Sequence, residues 1–74
     1  MTFEPMGEVL PGLPMWGARK GGYSYMISEE EGVYVATVRR AYTTEPRPEY
    51  GRLIDLGKFP SMQKAIEACV EWKP

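Results

Sequence analysis

Histidine is absent from this sequence, and Cys69 is its only cysteine. These two shortages leave no internal disulfide, none of the usual Cys/His zinc sites, and neither a Ser-His-Asp triad nor a Cys-His dyad. No run of apolar residues approaches the ~20 that a membrane-crossing helix needs. Net charge is also lacking: nine basic against ten acidic side chains leave −1. Proteins that hold nucleic acid by its phosphates carry a positive field instead. The first stretch, MTFEPMGEVLPGLPMW, has acids and prolines where a secretory signal has a basic flank and an unbroken apolar run. A cytoplasmic location with a reduced thiol is therefore expected.

What is present fits one domain with a modest core. A chain of 74 residues buries only roughly 60–65% of the surface its unfolded form exposes, so packing must supply nearly all the stability. Hydrophobic residues make up 43% of the chain, enough to expect folding rather than disorder. Prolines 5, 11 and 14 and glycines 7, 12, 17, 21 and 22 crowd the first 22 positions. Their missing donors and free φ predict an irregular arm over residues 1–22, with Trp16 among the apolar residues it carries. From Tyr23 the composition changes. YSYMIS alternates, and VYVATVRRAY supplies the β-branched and aromatic residues that strands prefer. The EEEG between them, residues 29–32, predicts a hairpin turn. Pro46 and Pro48 predict a loop over residues 43–51, followed by a third strand over residues 52–59. Pro60 ends that strand, and Ser61 is placed to cap a helix whose apolar stripe is Met62, Ala65, Ile66, Cys69 and Val70. The expected fold is α+β: a three-stranded antiparallel sheet packed on one C-terminal helix over residues 23–74, with the arm in front.

Side-chain alternation assigns the two faces of that sheet. Tyr25, Ile27, Tyr34, Ala36, Val38, Ile54 and Leu56 form an apolar set suited to the helix. The opposite face then carries Met26, Val35, Thr37, Arg39, Leu53 and Asp55, a mixed surface that one helix leaves open. Either the arm or another chain must cover it.

The runs GVYVATVR (32–39) and LGKFPSMQKAIEA (56–68) resemble the DNA-binding domain of plant ethylene-response factors and the arm-binding domains of phage integrases. The resemblance spans about residues 23–70 and implies three antiparallel strands on one helix, with the open sheet face in the major groove of DNA. Of the positions that face the groove by this correspondence, only Arg39 keeps the expected chemistry. Asp55 would set a carboxylate beside phosphate. Arg19, Lys20 and Arg52 are the remaining candidate phosphate anchors.

Two functions from different classes follow. The first is a small non-catalytic protein-interaction module, binding a protein partner or a second copy of itself through Met26, Val35, Thr37, Arg39, Leu53 and Asp55, with Trp16 as an anchor. In size and composition it is similar to accessory and inhibitor proteins of phages and mobile elements. The second is a sequence-specific DNA-binding domain of the integrase-arm kind, using Arg19, Lys20, Arg39 and Arg52, which the net charge opposes. No cofactor and no metal are implied. Cys69 falls on the helix stripe as a small core residue. Glu29, Glu30 and Glu31 read as a solvated turn, and GARKGG lacks the strand-to-helix setting of a phosphate loop.

Overall fold

Two turns at positive φ fold the middle of the chain back on itself. Gly21 (φ 58°) and Gly22 (φ 81°) form one, Glu31 (φ 52°) and Gly32 (φ 78°) the other. Two consecutive residues at positive φ match the right-handed twist of flanking strands, and so make tight two-residue hairpins. The computed structural model describes residues 1–10, 12–42, 49–50 and 52–74. In chain order these form β1 (Glu4–Leu10), β2 (Leu13–Lys20), β3 (Tyr23–Glu30), β4 (Val33–Tyr42), β5 (Glu49–Tyr50), β6 (Ile54–Phe59) and α1 (Met62–Glu71). Apart from Glu49–Tyr50, the loop expected at 43–51 lies outside the described residues. The main sheet is antiparallel, ordered β1-β2-β3-β4-β6, with the two-residue β5 paired to the far end of β4.

The α+β class stands, but three strands with an irregular arm is corrected to a five-stranded sheet. Residues 4–20 are a β-hairpin that continues the sheet beyond β3. Pro5 and Pro14 are accommodated because each sits where its missing donor matters little. Pro5 lies in β1, the outermost strand. Pro14 lies where β2 has only β1 for a neighbour, since the β2–β3 ladder begins at Met15. The β1–β2 register shifts between Pro5 and Gly7 and again between Glu8 and Leu10, with Gly7 at φ 75°. These are β-bulges, which absorb local mismatch without ending a strand. The segment therefore widens the sheet and does not fold across its open face.

The helix begins where expected. Ser61 is extended, and its Oγ accepts from the Lys64 backbone N–H at 3.2 Å. Ala65 and Cys69 are buried from α1, and Tyr25, Ile27, Ala36 and Val38 from the sheet below. The two alanines, Ala36 and Ala65, allow helix and sheet to approach closely. Among the described residues α1 meets β3, β4 and β6 but neither β1 nor β2. Trp16 continues the cover over β2, its ring 6.3 Å from that of Tyr34, and Phe3 packs on the same cluster. At the other end Trp72 stands edge-on to Tyr23 at 5.0 Å and to Tyr25 at 6.1 Å. Ile54, assigned to the helix side, does pair with Val38 but is 39% exposed at the sheet margin.

Candidate interaction face

Residues paired across an antiparallel ladder share a face, so the register lays out the surface opposite α1 in rows. At one end Arg19, Ser24 and Arg39 stand abreast. The next row is Glu4, Gly17, Met26, Thr37 and Asp55. A third is Gly7, Met15, Ser28, Val35 and Lys58, and Glu30 pairs with Val33 at the far end. Met26, Val35, Thr37 and Arg39 thus stand together, each partly exposed.

Two shallow hollows mark this face. One, of about 520 Å³, is lined by Met6, Gly17, Arg19, Ser24, Met26 and Arg39 among others. A Cβ at Gly17 would stand 2.7 Å from Met6 Sδ, so the bulge residue Met6 leans over the bare backbone of β2 and forms a wall. The other hollow, of about 610 Å³, lies toward the acidic turn between Leu13, Glu30, Val33, Val35 and Lys58. The outermost rows are therefore opposite in charge, Arg19 and Arg39 at one end and Glu30 at the other, while the rows between them hold Met15, Met26 and Val35 with Glu4, Asp55 and Lys58 toward the margins.

Several residues expected at the site stand elsewhere or hold other partners. Trp16 pairs with Ile27, on the helix side of the sheet. Lys20 pairs with Tyr23, also on that side, while Arg52 and Leu53 precede β6, and Leu53 is 57% exposed. Asp55 is on the open face, but its Oδ1 accepts from the Gly57 N–H at 2.8 Å. That bond bridges the register shift in β6 opposite Ala36 and Thr37, where Gly57 sits at φ 119°. The three glutamates separate. Glu29 pairs with Tyr34 on the helix side and accepts from its hydroxyl, which raises the tyrosine pKa above its ordinary value. Glu30 faces the open side, and Glu31 sits in the turn. Burial pushes the Cys69 thiol up to about 11, the behaviour of an inert core residue, since the thiolate is the reactive form.

Ser24 and Ser28 stand on this face, as alternation in β3 places them, and Met6, Met15, Gly17, Glu30 and Lys58 join it without having been expected there. A signal for the β2 residues was there: GG between GARK and YSYM is a two-residue hairpin pattern. Among the described residues no group of three His, Cys, Asp or Glu side chains is placed to hold a metal ion. None of their helices is long and apolar enough to cross a membrane. The chain matches no protein-family model, no curated protein and no solved structure.

Proposed function

We propose that this protein is a small, non-catalytic interaction module that works in the cytoplasm and binds protein through the sheet face opposite α1. One observation carries this: a face five strands wide is left uncovered by the other described elements, with Met15, Met26 and Val35 at its centre and ionic groups around them. An apolar patch rimmed by polar residues is what a protein-binding surface presents. The sheet edges offer less. Pro5 and two bulges interrupt β1, and the bulge at Leu56 with Asp55 and Lys58 interrupts β6. Interruptions of this kind discourage strand addition, which leaves the face as the better docking surface.

The test compares Val35→Asp with Val70→Asp, the latter changing a 52% exposed residue on the helix. Affinity capture from the native host with each variant should give one set of proteins held by wild type and Val70→Asp but released by Val35→Asp. Equal capture by all three would overturn the assignment. Unfolding of Val35→Asp, seen by circular dichroism, would show that the position belongs to the core.

DNA recognition by the same face is the second candidate, favoured by Arg19 and Arg39 standing in one row. Glu4, Asp55 and Glu30 share that surface and oppose it. Its signature would be a log-log salt slope of about −0.9 for each phosphate contact. Affinity for duplex DNA that is indifferent to salt would exclude it.

A further inference from the structure

The rows of the open face are complementary to themselves. A two-fold axis lying in the plane of contact and running across the strands would superpose each strand on its own copy with the ends exchanged. With the axis between the second and third rows, those rows face each other: Met26 and Thr37 of one copy meet Ser28 and Val35 of the other. Asp55 and Lys58, one in each of these rows on β6, then oppose across the interface, twice. The two outer rows meet as well. Glu30, on β3, comes over Ser24, which is also on β3 and is flanked by Arg19 and Arg39. An axis parallel to the strands would instead bring like ends together, arginine row on arginine row, and charge repulsion disfavours it.

We infer that the open face packs against a second copy of this chain, face to face about a two-fold axis crossing the strands, with Glu30 of each copy set between Arg19 and Arg39 of the other. The inference rests on the open face being an interaction surface and adds the identity of its occupant. Isologous pairing needs one patch that is its own complement, and the pairings of Glu30 with the arginine row and of Asp55 with Lys58 supply one. Stacked sheets pack about 10 Å apart with strands within about 30° of alignment, which keeps the outer rows in register with their opposites. Five strands at about 4.8 Å and seven residues at about 3.3 Å give a footprint of roughly 24 by 23 Å. With side-chain relief this approaches the ~800 Å² per partner of a standard interface, so the pair is expected to dissociate on dilution.

The experiment is sedimentation equilibrium on the full chain over a wide concentration range, for wild type, Glu30→Arg, Arg39→Glu and an equimolar mixture of the two variants. Wild type should approach twice the 8.4 kDa chain mass. Each variant alone places like charges at both symmetry-related contacts and should associate at least about tenfold more weakly. The mixture should regain association as a one-to-one heterodimer, because one variant keeps Arg39 and the other keeps Glu30. Where Arg39→Glu fails to fold, Arg19→Glu takes its place in the mixture. Wild type that stays monomeric at millimolar concentration overturns self-pairing. Loss of foreign capture by Val35→Asp would then still support the open face as an interaction surface, so the two failures are distinguishable. A wild-type dimer unaffected by either charge reversal, or a mixture that does not recover, overturns this arrangement of the two copies.

Discussion

Gly57 holds a φ of 119°, and a Cβ added there would meet only the Phe59 ring, at 3.7 Å. The space is adequate, so the constraint is conformational. Gly57→Ala is expected to cost about 1–3 kcal/mol through backbone strain, measured by urea unfolding. Asp55→Ala removes only the exposed carboxylate that accepts from the same amide and should cost less, about 1 kcal/mol. Cys69 gives a pH dependence. Its pKa is raised from 9.0 to about 11 because burial disfavours the thiolate. The neutral thiol is therefore favoured by folding: the stabilisation is complete below pH 9 and lost as pH rises through 11. At ~1.4 kcal/mol per pH unit this amounts to roughly 3 kcal/mol. Tyr25, also raised by burial, adds in the same direction. Unfolding free energies at pH 8.5 and 11 should show the fall, and Cys69→Ala should flatten part of it.

Among the elements, the β3–β4 hairpin keeps a glutamate at φ 52°, where most side chains are strained. The neighbouring β2–β3 turn uses two glycines. Glu31→Asn should stabilise the protein by about 1 kcal/mol by relieving that strain, seen as a higher urea midpoint with an unchanged slope. The β3–β4 hairpin, the strand ending at Pro60 and the helix capped by Ser61 were legible because each has a local cause: β-branched alternation, a missing donor, an apolar stripe of helical period. The β1–β2 hairpin was not, because proline density opposes strand within any short window. Only the sheet order reveals that Pro5 lies in an edge strand and Pro14 beyond the reach of β3. The site followed the same division. Met26, Val35, Thr37, Arg39 and Asp55 came from alternation within β3, β4 and β6, whereas Trp16 was placed by composition and falls on the helix side once β2 is a strand.

For the whole molecule, the five strands act as one sheet although the helix covers only three of them. Removing residues 1–22 would strip Trp16 from Tyr34 and Phe3 from the core, and leave β3 with an unpaired edge. Such a fragment, residues 23–74, is expected to lose cooperative unfolding and to aggregate, a consequence of a core this small and an edge this bare. A fragment that melts sharply near the full chain's temperature would show instead that the N-terminal hairpin is an appendage. The pairing of Glu30 with the arginine row also belongs to this scale: Arg19, Glu30 and Arg39 come from β2, β3 and β4, and they share one face only once the sheet is assembled.

Both tryptophans look away from the open face: Trp16 rests on Tyr34, and Trp72 closes the helix over Tyr23 and Tyr25. Intrinsic fluorescence will therefore record the docking of the N-terminal hairpin and of the helix as two separable signals, one for each single-tryptophan variant. Events on the opposite surface will leave both nearly silent. An optical probe of association has to be built in, and Ser28→Trp would place one at the centre of the sheet face that the natural chromophores do not see.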